Sequence, residues 1–115
     1  MIIEYLDINV DDINKMPDKM EVTLSGNDYI ITVYWNFVGE YFGVDIYDSA
    51  GNQIIVGKKL VIGVGIFENV DSDGIPENAD LIPLAITQEA EDTGITYNNF
   101  MKDIKLFKAE FEQEG

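Results

Sequence analysis

The residues best placed to do chemistry are the carboxylates of Asp71-Ser72-Asp73-Gly74-Ile75-Pro76-Glu77-Asn78-Ala79-Asp80. Acidic side chains alternating ahead of a glycine can wrap a hard cation, because Ca²⁺ takes six to eight oxygen ligands and glycine permits the tight turn between them. Asp71, Asp73 and Asp80 are the candidate metal ligands. The competing reading is a solvated acidic loop between two strands, and in a chain this acidic we give it the greater weight. The expectation is no cofactor, with Ca²⁺ as the alternative. Glu89, Glu91 and Asp92 form a second group of carboxylates that can in principle do paired acid/base work. Abundance alone does not build an active site, so no catalytic residue is assigned and we expect no enzyme.

Composition narrows the chemistry further. The 115 residues include no histidine and no cysteine. Ser-His and Cys-His catalysis, thiolate chemistry, disulfides and ordinary zinc sites are therefore excluded. The 22 acidic residues against seven basic ones, all lysine, leave a net charge of -15. A surface of that sign repels nucleic acid and anionic membrane. No apolar run approaches the roughly 20 residues that span a bilayer, and the opening Met1 to Asp12 has no basic region ahead of its apolar residues. We expect no signal peptide and synthesis in the cytoplasm.

The elements that must position any site read as strands. Tyr29, Ile31, Val33 and Trp35 alternate with Ile30, Thr32 and Tyr34, the period of two of a strand with two buried or half-buried faces. Asn36 to Gly39 breaks that run, and Tyr41 to Tyr47 resumes it with Phe42, Val44 and Ile46 on one face, pairing antiparallel with the first. Asp48 to Asn52 reads as a reversal into a third strand, Gln53 to Val56. Ahead of this meander, Met1 to Leu6 reads as an edge strand and residues 7–19 as loop. Met20 to Leu24 reads as a strand turning through Ser25-Gly26-Asn27 into Tyr29. Behind it, Lys58 to Phe67 reads as a strand bent at Gly63 and Gly65, residues 68–80 as an acidic loop, and Leu81 to Thr87 as a strand whose Pro83 calls for an edge or a bulge. Met101, Ile104, Phe107 and Phe111 have helical spacing, while Lys105, Phe107, Ala109 and Phe111 alternate; the unpaired strands elsewhere favour strand. The fold expected is all-β, one domain over residues 1–115, with about seven or eight mostly antiparallel strands in a sandwich or small barrel. Most aromatic residues belong to its core. Tyr34, Tyr41 and Tyr47 fall on the less apolar face and are the candidate interface residues.

Two resemblances bear on function. The acidic loop resembles half of a thrombospondin type 3 calcium repeat, although one copy stands alone, and it departs from an EF-hand loop at Ile75 and Ile82. A calcium-binding module for adhesion or carbohydrate binding is the alternative function it implies. The order of Leu24, Gly26, Tyr29, Ile31, Trp35, Asn36, Asp45, Asp48, Gly51, Gly57, Leu60 and Gly63 resembles the phage baseplate plug family. Ile2-Ile3 with Leu6, Leu81 and the Ile104 to Leu106 run extend that likeness to nearly the whole chain. The resemblance implies a non-catalytic structural protein of a contractile phage tail or phage-tail-like particle, at the junction of hub and tail tube. It further implies multiple copies around the tail axis, tail tube and baseplate hub proteins as partners, and neither nucleic acid nor membrane as a direct ligand. The Asp71 to Asp80 loop departs from what that family leads one to expect.

Overall fold

Three tight reversals turn the aromatic centre of the chain into one antiparallel meander. In the computed structural model, residues 2–6, 8, 18–68, 70 and 74–110 are described. Strands β2 (Asp18–Leu24), β3 (Asn27–Asn36), β4 (Tyr41–Asp48) and β5 (Gln53–Lys59) pair in the order β2-β3-β4-β5. The first reversal leaves only Ser25 and Gly26 between the partners Leu24 and Asn27, with φ of 52° and 80°. Two successive positive φ values match the right-handed twist of the flanking strands, which is why a small polar residue and a glycine stand there. At the third, Asp48 Oδ1 accepts from the amides of Ala50 and Asn52 at 3.0 and 2.8 Å, and Gly51 takes a φ of 87°. These contacts, the Asn52 side chain foremost, hold the Asp48 carboxyl below its ordinary range.

The second sheet joins the two ends of the chain. Strands β1 (Ile2–Tyr5), β6 (Ala79–Ala85) and β7 (Ile104–Glu110) pair antiparallel in the order β1-β7-β6, so the closing segment is a strand and supplies both of the sheet's ladders. The helical spacing of Met101, Ile104 and Phe107 is overridden by that pairing. Ile104 and Leu106 enter the core, while Phe107 meets the Tyr5 ring edge-on at 6.2 Å on the other face. Phe111 lies outside the described residues. Among the described residues, seven strands in two antiparallel sheets realise the all-β expectation; these sheets share no ladder, so the arrangement is not a closed barrel.

One apolar cluster unites the sheets. Val22, Leu24, Tyr29, Ile31, Val33, Phe42, Val44 and Ile46 of the meander pack with Leu81, Ile104 and Leu106 of the second sheet. Each large side chain so buried stabilises the fold by about 1.5–3 kcal/mol. At one end the Phe42 ring sits 4.9 Å from Trp35, 4.5 Å from Phe100 and 6.0 Å from Tyr97, all between centroids. Tyr97 and Phe100 arrive there through α1 (Gln88–Thr93), capped by Thr87 Oγ1 accepting from Ala90 N at 3.1 Å and closed by Gly94 at φ 86°.

Residues 58–67 do not form one strand. Lys58 and Lys59 complete β5, and the chain then passes through successive turns along the free edge of β6. Gly63 N donates to Pro83 O at 2.8 Å and Ile66 N to Leu81 O at 2.9 Å. Pro83 therefore stands on an edge, and its missing N–H falls on the side away from the β7 ladder, where no strand-pairing bond is forfeited. The stretch from Gln88 to Asn99 contains the short helix α1.

Candidate functional site

Of the three candidate cation ligands, Asp80 alone lies among the described residues. Asp71 and Asp73 lie outside them. Asp80 is held in β6, where its Oδ1 accepts from Phe67 N at 2.9 Å and from Leu81 N at 2.7 Å. Gly65 is packed so closely on this carboxylate that a Cβ there would collide with it. Across the turn, Lys58 Nζ donates to the carbonyls of Ile66 and Glu68 at 2.7 and 2.9 Å. Burial raises the Asp80 carboxyl above its ordinary value, against the two amide bonds and the Lys58 charge, which pull it down. Asp80 and Lys58 thus clamp the 65–68 turn onto β6. Among the described residues no three His, Cys, Asp or Glu side chains are grouped to hold a metal ion.

The three candidate tyrosines come together on the outward face of the meander, because Tyr41 and Tyr47 share a parity on β4 and Tyr34 opposes Gly43. Each is half-buried. Tyr34 lies flat over Gly43, whose absent Cβ would sit 2.8 Å from the ring. Its phenol is raised by burial first and then by the charge of Asp45, to which it also hydrogen-bonds. Asp45 Oδ1 in turn accepts from Gly57 N at 2.8 Å, fixing the irregularity of the β4–β5 ladder where Gly57 takes a φ of 69°. The Tyr41 hydroxyl accepts from Asn36 Nδ2 at 3.1 Å, and Lys59 Nζ stands 5.5 Å from its ring centroid. Tyr47 lines a shallow groove with Lys19, Ile30, Thr32 and Asp45. Tyr34 and Tyr41 thus carry internal duties in addition to any contact they make outside.

Two features escaped the sequence reading. Asn36 to Gly39 was read only as a break, yet it puts Phe37 and Val38 at 69% and 97% exposure on the β3–β4 turn. Glu91 and Asp92, together with Glu40, line a cleft of about 430 Å³ whose apolar walls include Phe42, Leu60, Val61 and Ile95. Their convergence depends on α1 lying beside the end of the meander, a long-range fact that spacing in sequence does not carry. Four lysines among the described residues, by contrast, are engaged. Besides Lys58 and Lys59, Lys105 Nζ donates to Met101 O and lies 5.0 Å from the Tyr5 centroid, and Lys108 pairs with Glu110 at 3.2 Å.

The geometry of the described residues offers shaped surfaces and clamped turns. A search of curated proteins finds no match. A family model described as cyanophage baseplate Pam3 plug gp18 matches residues 3–110. That span takes in both sheets, the helix and the turns between them, and on it the chain belongs to the cyanophage baseplate plug family.

Proposed function

We propose that the protein is a non-catalytic structural component of a phage tail baseplate, seated where the hub meets the tail tube of a contractile tail or tail-like particle. The observation that carries this reading is the family match over residues 3–110. Several copies surround the tail axis and contact tube and hub proteins through strand edges and the outward face bearing Tyr34, Tyr41 and Tyr47. The net charge of -15 suits a position beside a DNA channel, since a wall of that sign does not retain the passing polymer. Neither nucleic acid nor membrane is a direct ligand in this reading. The calcium-module alternative draws no support from Asp80, whose Oδ1 is turned to two backbone amides.

Deletion of the gene tests the proposal. Tails are expected to lack baseplates or to fail to form, and restoring the chain is expected to place it in purified tails by mass spectrometry. Normal infectious particles without it would overturn the reading.

A further inference from the structure

The connection between β3 and β4 differs from the other two reversals of the same sheet. Those carry Ser25-Gly26 and Ser49-Ala50-Gly51 at their tips, as solvent-facing turns do, whereas this one carries Phe37 and Val38. Neither side chain packs in the core: Phe37 is 69% and Val38 97% exposed. The turn beneath them is nonetheless fixed. Asn36 Oδ1 accepts from the amides of Val38 and Gly39 at 3.0 and 2.9 Å, and Asn36 O accepts from Glu40 N at 2.8 Å. The Tyr41 ring packs so tightly under Gly39 that a Cβ there would collide, and Glu40 is held at φ 56°, a region that non-glycine residues seldom occupy. An apolar pair displayed on a locked turn loses little conformational freedom when it is buried by a partner.

The charge around the tip defines that partner. Glu40 belongs to the turn and also lines the 430 Å³ cleft, with Glu91 and Asp92 contributed by α1. The last turn of α1 has no basic residue to offset its negative end. Lys59, the one cation among the described residues that line the cleft, stands over the Tyr41 ring. A second copy of a chain with net charge -15 would bring like charges together here. We propose that Phe37 and Val38 form a knob that inserts into an apolar socket on a neighbouring baseplate protein. Lysine or arginine side chains at the rim of that socket enter the cleft between Glu40, Glu91 and Asp92. The inference rests on the baseplate reading above and adds the contact that seats the chain.

Photo-cross-linking in assembled particles tests it. With Phe37→p-benzoylphenylalanine, purified tails are expected to show a cross-link to a different baseplate protein, at an apolar segment flanked by lysine or arginine. A cross-link to another copy of this chain or to lipid, or no cross-link at all, overturns the proposal. In parallel, Phe37→Ser with Val38→Ser should fold with an unchanged circular dichroism spectrum but enter tails at least tenfold less than wild type. Glu91→Lys with Asp92→Lys should reduce entry at least threefold, and Ile86→Ser, a change at an exposed apolar residue elsewhere, should leave it unchanged. Normal entry of the Phe37/Val38 double variant overturns the knob while leaving the baseplate reading intact. Absence of the wild-type chain from tails overturns both.

Discussion

Asp80 provides the sharpest test of how the second sheet is held. Asp80→Ala removes the acceptor of two amides, Phe67 N at 2.9 Å and Leu81 N at 2.7 Å, in a half-buried site. An unsatisfied buried amide costs about 1–3 kcal/mol, and partial access of water places each near the lower end, for a loss of about 2–3 kcal/mol. With about 2.1 cal/mol/K of unfolding entropy per residue, a chain of this length loses about 4 °C of Tm per kcal/mol, so the expected fall is about 8–12 °C. Asp80→Asn keeps an acceptor oxygen and should stay within about 1 kcal/mol of wild type at pH 7. The two variants also separate by pH. Burial raises the folded-state pKa of Asp80 above the ordinary 3.8, with Glu68 adding to the rise and Lys58 opposing it. Across that window the folded chain binds more proton than the unfolded one, so the Asp80 contribution to stability declines as pH rises. Urea melts from pH 3 to pH 6 should therefore show Asp80→Asn gaining on wild type with rising pH, since the other carboxylates cancel in the difference. A flat or falling difference, or an Asp80→Ala variant melting within 1 °C of wild type, would refute the clamp.

Other consequences can be measured with the same assays. Phe42→Ala should lose about 3–5 kcal/mol, because a fully buried ring contacting Trp35, Tyr97 and Phe100 leaves a cavity, and the emission of Trp35 should shift to the red as water gains access. Gly43→Val should cost about 1–3 kcal/mol by driving the Tyr34 ring off the sheet, and Tyr34→Ala in the same chain should recover part of that loss in a double-mutant cycle. Millimolar Ca²⁺ should leave the wild-type Tm within 1 °C and evolve no binding heat by calorimetry. A rise of several degrees would restore the cation role of the Asp71 to Asp80 loop.

What could be read from sequence was the part governed by local rules. The alternation from Tyr29 to Tyr47, the Ser25-Gly26 turn and the Asp48 reversal each carry their instruction within a few residues, and β2 to β5 follow them. Pro83 marked an edge because a missing donor is a local property. The 58–67 stretch misled because its apolar residues face a neighbouring strand as turns: two amides bond to β6, and the two glycines permit a path that pattern alone cannot distinguish from a bent strand. The same limit applies to the surface. Tyr34, Tyr41 and Tyr47 share a face by parity alone, whereas the cleft of Glu40, Glu91 and Asp92 joins residues some fifty positions apart. Asn36 to Gly39 reads in sequence only as a break, and it is the fold that leaves Phe37 and Val38 exposed, outside the core.

The engagement of the lysines bears on the timing of assembly. Lys58 and Lys105 are bound to carbonyls, Lys59 and Lys105 lie against tyrosine rings, and Lys108 is paired, so these cations are held against the fold of a chain whose net charge is -15. Between free copies the repulsion reaches about 8 Å at physiological ionic strength. On the baseplate proposal, such copies are expected to stay dispersed until a cationic surface already in place gathers them.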